Sequence, residues 1–186
     1  MSTESPGRLW YVIGPSGAGK DSLLAYARQQ LAGSSRLVFA HRYITRPADA
    51  GGENHIALSA AEFDSRERHG CFALSWRRHG LAYALGVEVE TWLAQGLDVV
   101  VNGSRATLPL AAAHFPTLTP LWVLASPAVL AERLRARGRE DEAAVQRRLQ
   151  EAAGFVPPEG SLILRNDGTL SQGGEQLLSL LCAPWH

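Results

Sequence analysis

The residues that promise chemistry lie near the start of the chain. Gly14, Pro15, Ser16, Gly17, Ala18, Gly19, Lys20, Asp21 and Ser22 give a glycine, four residues, then Gly-Lys, the spacing of a loop that wraps phosphate groups. Glycines let successive backbone amides turn toward one anion, and the helix that follows adds the positive end of its dipole. Lysine suits the task because a compact ammonium on a flexible stem reaches the β- and γ-phosphates of a nucleotide, where a planar guanidinium fits poorly. Of the 18 basic residues, Lys20 is the only lysine. Codon usage accounts for an arginine-rich chain; it does not account for the exception. The expected ligand is therefore ATP, with Mg2+.

One letter of the loop departs from the usual form. The residue after the lysine is ordinarily a serine or threonine whose hydroxyl holds magnesium, and here it is Asp21. A carboxylate is a good hard ligand for Mg2+. Asp21 binding the metal directly, Asp21 binding it through water, and Ser22 taking the role all remain open.

For such a loop to work, a strand must deliver it and a helix must follow. LWYVI at 9–13 has the aromatic and β-branched content of a buried strand, and Leu23, Leu24, Ala27 and Leu31 recur at helical steps from Gly19 onward. Further short apolar runs at 36–40, 98–102, 121–125 and 161–165 read as strands covered on both faces. Helical patterns at 59–69, 87–95, 105–114, 128–137, 140–153 and 172–182 separate most of them, the first opened by the capping box Ser59-x-x-Glu62. This alternation implies an α/β fold, a doubly wound parallel sheet flanked by helices.

Composition narrows the partners. With 186 residues and 46% hydrophobic content, the chain is expected to form one globular unit. Basic and acidic residues balance at 18 each, so no electrostatic footprint suggests nucleic acid or a membrane surface. Cys71 and Cys182 stand far apart, and no cleavable signal or long apolar span appears, which makes the cytoplasm the expected compartment. Trp10, Trp92 and Trp122 sit in apolar patterns and read as core; His69 and His79 lack metal-ligand spacing.

Two segments do not fit the plain alternation. Residues 41–86 hold four of the six histidines and six arginines, and are expected to form an acceptor-binding insertion. Residues 133–148 place six arginines around Gly138 and are expected to form a lid over the phosphates. Arg135 and Arg147 read as a solvated helix face beside Glu140, Asp141 and Glu142, whereas Arg133, Arg137, Arg139 and Arg148 are the arginines expected to act on phosphate.

The loop GPSGAGKDSL, TRP at 45–47, EF at 62–63, RGR at 137–139 and ND at 166–167 are similar to guanylate kinases. The resemblance implies a nucleoside monophosphate kinase-like P-loop fold. Its core would cover about 8–40, 87–132 and 149–186, with the insertion at 41–86 and the lid at 133–148. The acceptor site departs from that family. Asn54 stands where guanylate kinases have a tyrosine, and Ser75 and Ser104 stand where they have the two carboxylates that read guanine. A pocket without those acceptors would bury guanine's donors unpaired.

The strings AHRYITR (40–46), ENHIALS (53–59), ALSW (73–76) and DVVVNGSRA (98–106) resemble instead the ribose 1,5-bisphosphate phosphokinases of bacterial phosphonate breakdown. That resemblance implies conversion of ribose 1,5-bisphosphate and ATP into 5-phosphoribosyl 1-diphosphate and ADP, by a monomer or homodimer. The alternatives are a guanylate-type nucleoside monophosphate kinase and an inactive, kinase-derived binding module. On the preferred reading Lys20, Arg137 and Arg148 are catalytic, and the loop from Gly14 to Ser22 with Arg133 binds ATP. Arg42, Arg46, Asn54, His55, Tyr83, Asn102, Ser104 and Arg105 bind the sugar bisphosphate. Because a phosphate acceptor is already ionised near neutral pH, no general base is needed. With Asn102 an amide on the third core strand, the metal-holding acid is read as having moved to Asp21.

Overall fold

The computed structural model describes residues 6–50, 53–136, 141–158 and 161–183. Its first strand, β1 (Leu9–Ile13), is buried at every position, as a strand covered on both faces must be. Gly14 ends it at a close approach: a Cβ there would lie 2.2 Å from the Val123 carbonyl oxygen. The loop then feeds α1 (Lys20–Gln30), which carries Asp21 in its first turn, where a carboxylate offsets the helix dipole. Three short strands follow, β2 (Leu37–Phe39), β3 (Tyr43–Ile44) and β4 (Ile56–Ala57). Next comes α2 (Ala60–Arg68), with the Ser59–Glu62 capping box fully formed. The strands β5 (Phe72–Arg78) and β6 (Leu81–Gly86) make a hairpin that turns at His79 and Gly80, both with positive φ.

After α3 (Glu88–Ala94) and β7 (Asp98–Asn102) comes a 3-10 turn, Arg105–Thr107, and then α4 (Leu108–His114). The pattern at 105–114 predicted one continuous helix. The α-helix instead starts only at Leu108, with Pro109 in its first turn, where the missing N–H costs nothing. The chain closes with β8 (Leu118–Leu124), α5 (Pro127–Ala136), α6 (Glu142–Ala153), β9 (Leu162–Arg165) and α7 (Leu170–Leu181).

The strands form a five-stranded sheet in the order β2-β7-β1-β8-β9 and a four-stranded sheet in the order β4-β3-β6-β5. The pairs β2–β7 and β8–β9 are parallel, as the alternating sequence pattern predicts. In the second sheet β6 runs antiparallel to both β3 and β5. This sheet lies within residues 41–86, where the sequence showed only the helix. β9 differs from expectation too: three of its four residues are exposed, because it is the terminal strand of its sheet.

By its contacts the chain divides into two compact units, one comprising Met1–Tyr11 and Gln30–Thr119, the other Val12–Gln29 and Pro120–His186. In the first, a small cluster of Leu58, Phe63 and Ala84, with Tyr43, Phe72 and Ala82 against it, fastens α2 to the second sheet. Tyr11 is also buried here. Its hydroxyl lies 2.8 Å from the Thr107 Oγ1 and accepts from the Ser104 amide at 3.1 Å. Burial pushes its pKa up, only partly offset by these hydrogen bonds. Gly103 lies against the ring, and a Cβ there would come within 2.4 Å of Tyr11 Cε1. That contact sets the path of the chain between Asn102 and Ser104.

In the second unit Leu23, Leu24 and Ala27 of α1, Leu130 and Leu134 of α5, Val145 of α6 and Leu177 of α7 are buried. Across the α5–α6 junction Arg135 grips Glu142 with two hydrogen bonds, Nε to Oε2 at 3.0 Å and Nη2 to Oε1 at 2.6 Å. The Arg135 guanidinium, helped by Gln146, lowers the Glu142 carboxyl to about 2.

Two predictions test these contacts. Gly103→Ala should lose about 1–3 kcal/mol in denaturant unfolding through overpacking against Tyr11. Gly33→Ala, whose new Cβ meets nothing within 4 Å, should be close to neutral. The Glu142 ion pair has the sign of a depressed acid. It stabilises fully above the ordinary value of 4.5 and is lost as pH falls toward about 2. A carboxyl NMR titration should find Glu142 near that lower value, rising when Arg135 is replaced by Gln; because the pair is exposed, added salt should raise it as well.

Candidate functional site

The phosphate loop has the conformation its glycines predict. Gly17 and Gly19 both adopt left-handed backbone, with φ of 88° and 89°, which residues bearing a Cβ rarely adopt. A Cβ at Gly17 would press on Leu134 Cγ at 3.3 Å and Leu130 Cδ2 at 3.4 Å, so α5 supplies the apolar floor of the loop. The Ala18 amide donates to the Pro15 carbonyl at 3.3 Å, and the Leu23 amide donates to the Gly19 carbonyl at 3.0 Å, joining loop to helix.

Lys20 folds back over the start of the loop, its Nζ donating to the carbonyls of Gly14 at 2.8 Å and Pro15 at 3.4 Å. Two arginines border the same loop. Arg148 donates from Nη1 to Ser16 Oγ at 2.7 Å. Arg133 reaches the Gly168 carbonyl from Nη2 at 3.3 Å and, more weakly, the Ala18 carbonyl from Nη1 at 3.5 Å. Arg135 is tied to Glu142, as its reading as a solvated, paired residue predicts. Arg137 and Arg139 lie outside the described residues. Asp21 and Ser22 occupy the first turn of α1, the first partly and the second fully exposed. No cluster of three or more metal-ligating side chains occurs among the described residues. One carboxylate and one hydroxyl fit Mg2+, which takes one or two protein ligands and completes its shell with phosphate oxygens and water.

The other unit carries a second polar cluster. Arg42 donates to Glu53 twice, from Nε to Oε1 at 2.7 Å and from Nη2 to Oε2. Asn102 donates from Nδ2 to the same Oε2 at 3.1 Å. Both members of the ion pair are only 11% exposed. One face of the Arg42 guanidinium lies 5.2 Å from the centre of the Tyr83 ring and 5.9 Å from that of Trp76. Those two rings stack at 5.5 Å and 8°. The cation therefore rests on the flat aromatic surface that β5 and β6 build side by side, where Trp76 pairs with Tyr83.

Beside Glu53 in sequence, His55 braces Arg46. Its Nε2 lies 3.1 Å from the Arg46 carbonyl oxygen, and its Nδ1 lies 3.1 Å from the Glu53 carbonyl oxygen and 3.3 Å from Arg46 Nη2. Arg46 Nε is buried with no hydrogen-bond partner among the described residues, and so is the Ser104 hydroxyl. Asn54 is exposed and donates to His41 Nε2 at 2.9 Å. Arg105 is exposed at the start of its 3-10 turn. Ser75 donates to Glu67 Oε1 at 2.6 Å, and Glu67 also accepts Arg77.

The structure thus brings Arg42, Asn102 and Tyr83 together, braces Arg46 with His55, and fixes Ser104 through Tyr11. The residue that joins the first group, Glu53, is not among the acceptor-binding residues expected from the sequence. Its signal would have been an acid preceded by two glycines and followed by Asn54 and His55, which resembles any polar turn. Asn166, which the sequence marks only within the ND motif at 166–167 and gives no role, is 4% exposed and touches the loop.

No protein-family model matches the chain. Among curated proteins, the chain is 68% identical to a ribose 1,5-bisphosphate phosphokinase PhnN of Chromobacterium violaceum, covering 96% of this chain and 95% of that one. It is 56% identical to the protein of the same name from Thiobacillus denitrificans, covering 95% and 94%. A third, from Laribacter hongkongensis, is 64% identical across 100% of this chain and 45% of the relative. Among solved structures, a guanylate kinase from Anaplasma phagocytophilum superimposes with a TM-score of 0.61 at 17% identity, covering 96% of this chain and 86% of that one. A sugar kinase from Janibacter sp. HTCC2649 gives 0.53 at 19%, covering 95% of each. These structural likenesses show a kinase-like α/β fold, and the sequence relatives narrow it: the chain belongs to the ribose 1,5-bisphosphate phosphokinase (PhnN) family.

Proposed function

We propose that this protein transfers the γ-phosphoryl group of ATP to the 1-phosphate of ribose 1,5-bisphosphate, forming 5-phosphoribosyl 1-diphosphate and ADP. The P–O bond to ADP breaks, a new P–O bond forms to the acceptor oxygen, and the electron pair leaves on the ADP β-phosphate. The acceptor oxygen is already ionised, so no side chain has to remove a proton. Charge on the transferring group spreads over its equatorial oxygens, and positioning and cations do most of the work. Lys20, Arg148 and Arg133 border the loop for that purpose, and Arg137 belongs to the same proposal. Asp21 and Ser22 would hold Mg2+, which would supply positive charge against the nucleotide phosphates. The setting proposed is phosphonate breakdown in the cytoplasm, by a monomer or homodimer. No described helix is long and apolar enough to cross a membrane.

The observation that carries the acceptor assignment is Arg42, held by Glu53 against the Tyr83 and Trp76 rings. The guanidinium covers aromatic surface on which a purine would stack, which favours an acceptor without a base. The pair is neutral as a group. With Asn102 it presents N–H donors and carboxylate lone pairs, suited to sugar hydroxyls that donate and accept. Phosphate recognition then falls to Arg46, whose Nε has no hydrogen-bond partner among the described residues, to His55, and to Arg105, Asn54 and Ser104.

A coupled ADP-release assay should show turnover with ribose 1,5-bisphosphate and none with GMP or AMP; turnover with a nucleotide alone, or with nothing, would reject the proposal. Glu53→Gln replaces one charged acceptor by an amide. The KM for ribose 1,5-bisphosphate should rise roughly ten- to a hundred-fold, the range of one charged hydrogen bond, with the KM for ATP unchanged. Equal effects on both would count against a role in the acceptor site.

A further inference from the structure

We infer that Asn166 is a positioning residue of the phosphate loop: it fixes the Ala18–Gly19 peptide plane so that the Gly19 amide is presented to the phosphates of the nucleotide. The residue follows directly on β9, and its own amide donates to the Leu124 carbonyl at 2.7 Å, which secures its backbone to the end of β8. Its side chain is 4% exposed. Nδ2 donates to the Ala18 carbonyl at 2.7 Å. A carbonyl only accepts, so the amide's orientation is settled by chemistry.

Two glycines make room for the Asn166 amide. A Cβ on Gly19 would lie 2.4 Å from Nδ2, and one on Gly173 would lie 2.5 Å from Oδ1. Gly173 is buried in α7, so the helix comes close to the amide only because that position has no side chain. The amide is wedged between the loop on one side and α7 on the other.

The consequence for the loop follows from peptide planarity. In a trans peptide the C=O and the next N–H point in opposite directions. Holding the Ala18 oxygen toward Asn166 therefore turns the Gly19 N–H away from it, into the loop. Gly17 and Gly19 both sit in left-handed backbone, and glycine resists rotation of an adjacent peptide least. A flipped Ala18–Gly19 plane would offer the nucleotide a carbonyl oxygen in place of a donor. Asn166 opposes that flip.

Asn166→Asp keeps the shape and replaces the donor by an acceptor facing Ala18. The affinities for MgATP and for tripolyphosphate, a probe with no base or sugar, should fall by the same factor of ten or more in calorimetric titration. Asn166→Ser, which removes the contact without adding a buried charge, should do the same to a lesser degree and answers the question if the Asp variant fails to fold. A thermal melt establishes that the titrated variant is folded. Loss confined to MgATP, with tripolyphosphate binding intact, would make Asn166 a contact to the nucleoside and overturn the inference; unchanged affinity for both would overturn it as well. Neither titration contains an acceptor, so the result stands apart from the identity of the sugar.

Discussion

Backbone amides converge on an anion only where the chain bends through conformations that side chains forbid. Gly17 and Gly19 supply two such bends two residues apart, and much of the second unit is arranged to hold them. The carbonyl of Val123 presses so close to Gly14 that no other residue fits there, and Leu130 and Leu134 fill the space beneath Gly17. Asn166 takes the carbonyl between the two bends. Lys20 then turns its ammonium onto the carbonyls of Gly14 and Pro15.

The first unit solves a different electrostatic problem. Burying an arginine without a counter-charge is costly, and a buried pair persists only where its remaining donors and lone pairs are also met. Glu53 answers Arg42 with both oxygens and shares one of them with Asn102. The Tyr83 and Trp76 rings meet the guanidinium face. Arg46 is treated otherwise: His55 steadies it at one nitrogen while Nε is left buried and unclaimed among the described residues. Two arginines four positions apart thus end in opposite states, one neutralised and one holding its charge in reserve.

Legibility followed burial. β1, the loop and α1 were readable because a strand covered on both faces, a glycine-rich turn and an amphipathic helix each leave a distinct pattern. β7 and most helices were readable for the same reason. The second sheet was not, since β3 and β4 are two residues long and β5 carries Ser75, Arg77 and Arg78 among its apolar residues. The exposure of β9 could not be foreseen because strand order is a long-range property. Arg135 was rightly read as a paired surface residue. The contacts of Glu53 and Asn166 escaped because the first looks like a solvated turn and the second, though part of the ND motif, like the polar end of a strand. Their roles arise only when segments 49 and 148 positions apart meet.

The contact of Lys20 with Gly14 and Pro15 has a practical corollary. In a chain with one lysine, acylation or carbamylation of a lysine side chain can land on a single atom, the Nζ that leans on those two carbonyls. Such a lesion removes the loop's one ammonium and leaves the other side-chain cations, guanidinium and imidazole, untouched. Counting intact side-chain amines in an ageing sample is therefore the same as counting loops whose lysine is unmodified.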